Sequence, residues 1–156
     1  MNRIAVVRIR GSIGVKKDIK DTMKMLRLNN KNHCVIINNS PNMIGMLRKV
    51  KDYVTWGELN EKTLKELLLK RGKIFGKKNL TEDYMKEKTR LSADEFVKDF
   101  FNFKKSLKDV IGLRLFFRLK PPVKGFERKG VKVPFSMGGA LGYRKEKIND
   151  LIIRML

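Results

Sequence analysis

The sequence predicts an α+β fold built on a compact βαβαβ core, with a three-stranded, mainly antiparallel sheet, helices on one face and cations on the other. Three observations lead there. Short β-branched runs end at glycine or Asn-Pro breakers, helical apolar periodicity fills the intervals between them, and the connections are only a few residues long. The core is expected from residues 1–54 and 107–120, a helical insertion from 55–106, and a Gly-rich basic extension with a terminal helix from 121–156.

Arg3–Arg10 (RIAVVRIR) reads as the first strand, ended by Gly11-Ser12 and Gly14. Val15–Leu28 follows as a helix with Val15, Ile19, Met23 and Leu26 on one face, and Lys17, Lys20, Lys24 and Arg27 as a second stripe roughly opposite. His33–Asn38 is the second strand, closed by Asn38-Asn39-Ser40-Pro41. Ser40 can cap the next helix and Pro41 fits its first turn, where a missing N–H costs nothing. In Ser40–Val54, Met43, Met46, Leu47, Val50 and Val54 form the apolar face, and Gly45, Arg48, Lys49 and Asp52 fall opposite. A mid-helix glycine costs about 1 kcal/mol relative to alanine. On the solvent side, Gly45 reads either as a place where a polyanion backbone comes close or as a tolerated glycine on a charged face.

From Thr55 to Lys105 the pattern is helical. Asn60 can cap Glu61–Arg71, whose apolar face is Leu64, Leu67 and Leu68, with Gly72 as the stop. Lys73–Asn79 (KIFGKKN) is a basic loop, Thr81 opens a short segment with acids in its first turn, and Ser92-Ala93-Asp94-Glu95 is a capping-box pattern before Phe96, Val97, Phe100 and Phe101. Val110–Lys120 (VIGLRLFFRLK) is the third expected strand, because Leu113, Leu115, Phe117 and Leu119 alternate with Arg114, Phe116, Arg118 and Lys120. Pro121–Gly142 holds five glycines and a tandem proline with little patterned apolar surface, so it is expected to be disordered or to order against a partner. Ile148, Leu151, Ile152 and Met155 then mark a docked terminal helix.

Charge narrows the function. The 156 residues carry 37 Lys and Arg against 16 Asp and Glu, a formal +21, which is far more than solubility requires. It points to a polyanionic partner, nucleic acid or an anionic membrane surface. Residues 1–60 carry 12 basic and 4 acidic side chains, residues 61–106 carry 13 and 8, and residues 107–156 carry 12 and 4. The excess is therefore no single tail, and both ends of the chain are expected to build one contact surface. Cys34, the one cysteine, cannot form an intramolecular disulfide and lies in an apolar run as an inert buried thiol. Nothing approaches the ~20 apolar residues of a spanning helix, and a cytoplasmic protein is expected.

Catalytic chemistry finds no support. The single histidine, His33, has no acidic neighbour in sequence, and HExxH, GxSxG and paired-carboxylate motifs are absent. Gly72–Lys78 fails the phosphate-loop pattern, having three residues between its glycines and Lys78 where Ser or Thr belongs. Neither cofactor, metal nor small-molecule substrate is expected.

With these elements in order, the chain resembles the large-subunit ribosomal protein L thirty family, called L seven in eukaryotes. The resemblance is carried by Ile13-Gly14, by Ser40-Pro41 with Gly45-Met46 and Lys49-Val50, and by Arg118-Leu119-Lys120-Pro121-Pro122, Gly138-Gly139, Gly142 and Ile148-Asn149-Asp150-Leu151. Gly72–Glu82 (GKIFGKKNLTE) places it with the longer archaeal and eukaryotic branch rather than the short bacterial one. The resemblance implies a compact βαβαβ core that binds large-subunit rRNA as a structural component, with neighbouring ribosomal proteins as further partners and 5S rRNA as a candidate contact. Many members carry an arginine before the Gly-Met pair, where this chain has Ile44.

Folded RNA is recognised through shape, phosphate and 2′-OH contacts, a task suited to scattered cations with glycines between them. The expected rRNA-binding residues are Arg8, Arg10, Lys16, Lys17, Lys20, Gly45, Arg48, Lys49, Arg118, Lys120, Lys124, Arg128, Lys129, Lys132, Arg144 and Lys145. Two rival readings are a free-standing RNA-binding regulator or chaperone outside the ribosome and a peripheral membrane binder. The latter would need a helix with large apolar residues exposed beside its cations, whereas these helices have apolar faces that a small sheet can bury.

Overall fold

A computed structural model describes residues 2–156, with Lys77 described by its backbone alone. Its central strands are β1 (Arg3–Arg8), β2 (His33–Asn38) and β3 (Val54–Glu58), and two-residue strands β4 (Phe117–Arg118) and β5 (Gly142–Tyr143) sit at the edges. The sheet therefore has five strands, in the order β4-β2-β1-β3-β5. β1 runs antiparallel to both neighbours, with Val6 opposite Val35 on one side and Trp56 on the other. β4 is antiparallel to β2, and β5 is parallel to β3.

This corrects the expected three-stranded sheet. Its third central strand is Val54–Glu58, not Val110–Lys120. The helix opened by Ser40 stops at Lys49 (α2, Pro41–Lys49), and the chain turns and enters the sheet at Val54. The Val-Thr-Trp run that follows has the β-branched and aromatic residues that suit a pleated, buried surface, and its pairing with β1 overrides the helical spacing of Val54. In Val110–Lys120 only Phe117 and Arg118 find a strand edge. Upstream, the chain bonds instead to the Lys73–Asn79 hairpin, with an Ile74–Leu113 bridge and Arg114 N–H donating to Lys73 C=O at 2.8 Å. The predicted alternation survives in burial, since Leu113, Phe117 and Leu119 are buried and Arg118 and Lys120 exposed.

The sheet is also covered on both faces, not one. Helices α1 (Lys17–Met25) and α2 pack on one side, where Ile4, Val6, Val35, Val54 and Trp56 meet Met23, Leu26, Leu47 and Val50. On the other side Ala5, Val7 and Cys34 meet α3 (Glu61–Arg71), α5 (Ala93–Phe101) and α6 (Ile148–Met155) through Leu64, Leu67, Leu68, Phe96, Phe100, Leu151, Ile152 and Met155. Every residue of β1 is buried. A strand covered on both faces shows a continuous rather than alternating apolar run, as IAVV does.

The helices between β3 and β4 begin where their caps predict. Thr81 accepts from Tyr84 N–H before α4 (Glu82–Thr89), and Ser92 and Glu95 form a complete capping box before α5. Asn60 holds the N-cap position of α3 but makes no side-chain cap bond. Its backbone N–H donates to Asn149 Oδ1 at 2.9 Å instead, tying α3 to α6.

Pro121–Gly142 is an ordered strap, contrary to the composition-based expectation. Lys120 and Val123 N–H groups donate to Met155 and Arg154 carbonyls, Phe135 N–H to Leu141 C=O, and Leu141 N–H to Val133 C=O. Ala140 and Leu141, with Phe126 and Val131, share a small core with Ile9, just after β1. Arg144 completes it. Its guanidinium bonds Glu127 bidentately at 2.6 and 2.9 Å, Thr55 Oγ1 at 2.9 Å and Ala140 C=O at 2.9 Å, with its carbon 4.6 Å from the Phe135 ring centre.

Candidate nucleic-acid interface

The basic residues divide by what holds them. Three arginines at strand ends and turns are used inside the protein. Arg3 donates to Phe100 C=O through Nε at 3.1 Å and Nη2 at 2.9 Å, and lies 4.0 Å over the Phe100 ring, so it closes the carbonyl end of α5. Arg8 donates to the carbonyls of Arg10, Leu28 and Asn29 and to Ser12 Oγ, all within 2.9 Å. Arg144 has the ring of partners given above.

Arg8 and Arg144 were both expected at RNA. The structure corrects this, because both are 2% exposed and their donors are already satisfied by protein oxygens. The apolar neighbours Val7 and Ile9 were the available signal for Arg8, since a charged side chain inside a fully buried strand run must be paired within the fold. For Arg144 only tertiary contact reveals the partner.

The remaining candidates face solvent. Lys16, Lys17 and Lys20 lie on or just before α1, and Gly45, Arg48 and Lys49 lie on α2. These two helices pack on the same face of the sheet, so the structure brings these residues into one layer. Arg10 is half-buried at the end of that layer, donating to Asp52 C=O at 3.1 Å and lying 5.0 Å from the Tyr53 ring centre. Arg118 and Lys120 are exposed at the β4 edge, while Lys145 follows β5 at the far edge. Four strand spacings, roughly 19 Å, separate those edges. Lys124, Arg128, Lys129 and Lys132 are exposed on the strap. The candidates thus form several patches around the molecule.

Gly45 has open space where a Cβ would stand, with no protein atom within 4 Å. No intramolecular contact requires the glycine. Beside it, Ile44 and Arg48 border a cleft of about 280 Å³ with Trp56, Glu58 and Tyr143. Glu58 accepts a hydrogen bond from the Tyr143 hydroxyl, which, with partial burial and the carboxylate charge, pushes the phenol up to about 12. Ile44 leaves Arg48 as the only cation of this cleft.

Burial pushes the Cys34 thiol up to about 12, which removes it as a nucleophile. Among the described residues no group of three or more His, Cys, Asp or Glu side chains could hold a metal ion, and no helix is long and apolar enough to cross a membrane.

Comparison with known proteins agrees with the resemblance seen in the sequence. The family model of ribosomal protein L30p/L7e matches residues 4–54, the stretch from β1 to the start of β3. The large ribosomal subunit protein uL30 of Methanococcus maripaludis is 53% identical over 152 residues, covering 97% of this chain and 98% of its own. Its counterparts in Nanoarchaeum equitans and Methanopyrus kandleri are 51% and 48% identical, covering 97% and 95% of this chain and 97% and 100% of their own. Identity at this level along nearly the whole length, strap and terminal helix included, places the chain in the ribosomal protein L30p/L7e family.

Proposed function

We propose that the exposed cations of the α1–α2 layer, the β4 edge and the strap hold the phosphate backbone of folded rRNA, with Gly45 allowing that backbone to approach α2. The chain is a structural constituent of the large ribosomal subunit rather than an enzyme, associates there with rRNA and ribosomal proteins, and belongs to the cytoplasmic ribosome. The observation that carries the surface assignment is the distribution of ion pairs. Among the described residues all of them lie between Lys65 and Asp94 or join Glu127 to Arg144 and Arg154. Residues 2–60, with 12 basic side chains, contain none. Apart from the buried Arg3 and Arg8, whose donors are taken by protein oxygens, these cations have no internal counter-charge and are available to phosphate. Within this reading 5S rRNA is a candidate contact, supported by the location that family membership implies.

The test is binding of large-subunit rRNA fragments as salt is raised. Six to ten phosphate contacts predict a loss of roughly 10³–10⁵ in affinity between 50 and 200 mM salt, and a nearly flat dependence overturns the mechanism. Lys49→Ala should lower the slope by about one unit, and an unchanged slope removes Lys49 from the surface.

A further inference from the structure

The Lys73–Asn79 hairpin carries an aromatic group that the fold does not use. The hairpin is closed by the Lys73–Asn79 bridge and by Ile74 N–H donating to Lys78 C=O at 2.9 Å. It is fastened to the segment after α5 by the Ile74–Leu113 bridge and by Phe75 N–H donating to Gly112 C=O at 3.1 Å. Because neighbouring side chains of an extended segment point to opposite sides, Ile74 enters the core and Phe75 is held outward, 77% exposed. Gly76, at φ 79°, makes the turn immediately after it.

Phe75 stands at one wall of a cavity of about 360 Å³. The rest of its lining is Leu113, Arg114, Leu115 and Phe116, with Arg27 and Asn29 from the turn after α1. Phe116 is backed by the His33 ring, stacked at 4.8 Å and 22°. Unlike Arg3, Arg8 and Arg144, neither Arg27 nor Arg114 hydrogen-bonds or ion-pairs through its guanidinium among the described residues. No acidic residue lines the cavity. Lys78 is exposed on the same hairpin.

We propose that this cavity takes an unpaired nucleobase splayed out of rRNA, with Phe75 as its stacking platform and Arg27 and Arg114 at its edge and phosphate. Three features select that occupant. The volume lies in the ~300–1,000 Å³ range of small-ligand pockets. The exposed Phe75 ring, the partly exposed Phe116 and two guanidiniums without protein partners match a planar base joined to a phosphate, the combination by which single-stranded RNA is read. An apolar protein segment placed there would bury both guanidiniums without counter-charges, which is unfavourable. The proposal rests on the rRNA-binding reading and adds a base contact to a surface otherwise made of phosphate contacts.

Two measurements on the full-length protein decide it. With protein-free large-subunit rRNA as the probe, Phe75→Ala should weaken binding about 5- to 150-fold, the range for losing one stacked base. Phe75→Trp should stay within about twofold of the parent, and Phe75→Leu should lose nearly as much as alanine. All three should leave the salt slope and melting temperature unchanged, because Phe75 is exposed. A leucine variant that binds like the parent, or an alanine variant that does, overturns the proposal while leaving the salt-dependent reading intact. A parent protein that fails to bind rRNA overturns both. In intact large subunits, a photoreactive benzoyl-phenylalanine at position 75 should crosslink to an unpaired nucleotide. Crosslinks only to a neighbouring protein, only to paired nucleotides, or none at all would exclude a base in the cavity.

Discussion

The two helical layers on either side of the sheet are both rich in lysine and arginine, yet they treat them differently. In the α3–α5 layer Lys65 meets Asp94 at 2.7 Å, Lys70 meets Glu66 at 2.8 Å and Lys88 meets Glu87 at 2.8 Å. These exposed pairs add little stability, typically 0–1 kcal/mol each, but they neutralise the surface in place. In the α1–α2 layer Lys16, Lys17, Lys20, Arg48 and Lys49 are exposed and none is in an ion pair. The difference shows that charge density alone does not locate a polyanion surface. Whether the cations are ion-paired within the fold distinguishes the two layers more sharply, and those of the α1–α2 layer are not. A second contrast follows the same logic within the arginines. Arg3, Arg8 and Arg144 hold the fold together, whereas Arg48 and Arg118 are free for an external partner.

The largest test of that contrast removes an internal arginine. Arg144→Ala leaves Glu127 half-buried without its bidentate partner and should cost about 3–5 kcal/mol, read from urea unfolding. Arg48→Ala should change stability by less than about 0.5 kcal/mol and act on RNA binding alone. If the two variants unfold alike, the division between internal and external arginines fails.

Glycines sharpen the comparison at the next level. A Cβ on Gly57 in β3 would stand 1.9 Å from Lys145 C=O, a backbone atom that cannot swing aside. Gly57→Ala should therefore destabilise by about 1–3 kcal/mol, as overpacked sites do. Gly45→Ala meets open space and should stabilise the free protein by up to about 1 kcal/mol through helix propensity, while weakening rRNA binding if the backbone comes close there. Thermal melts together with rRNA titrations separate the two effects. A Gly45→Ala protein that binds as the parent does would return this glycine to an ordinary exposed position.

The smallest effect is on acid stability. Burial alone would raise the Glu127 carboxyl, but the Arg144 hydrogen bonds, its own backbone N–H and the charges of Arg144 and Arg154 outweigh it and leave it below the usual value. A depressed folded-state value stabilises the fold above the unfolded carboxyl value, near ~4.3, and the contribution is lost as pH falls through the folded value. Unfolding midpoints measured from pH 6 down to pH 3 should fall less steeply in Arg144→Ala than in the parent. Parallel curves would show that the pair is not what couples the strap to pH.

Much of this was legible along the chain because it depends on near neighbours. Glu61–Arg71, the Thr81 start and the Ser92–Glu95 capping box depend on residues within a turn or two, and the structure forms all three. Val54–Glu58 was misplaced because its first residue also fits the helical spacing of α2, and only pairing with β1 separates the two periods. The order of the strap is not legible along the chain, because its apolar residues are few and its contacts come from elsewhere: Ile9 follows β1, and Arg144 reaches Thr55. Among the expected site residues, those on helices are exposed, whereas at the strand ends Arg118 and Lys145 are exposed and Arg8 and Arg144 are buried.

Composition and periodicity by themselves determined that the chain is an α+β protein with a polyanionic partner, since a charge of +21 cannot be balanced internally and apolar spacing sets helix faces. The tertiary structure decided which cations are held inside the protein and which stay exposed. Arg3 finds Phe100 across 97 residues, and Arg144 finds Thr55 across 89 and Glu127 across 17. Arg8 lies in a run whose apolar neighbours announce its burial, but the partners of Arg3 and Arg144 are supplied largely by distant segments, and no local pattern around those two arginines carries that information.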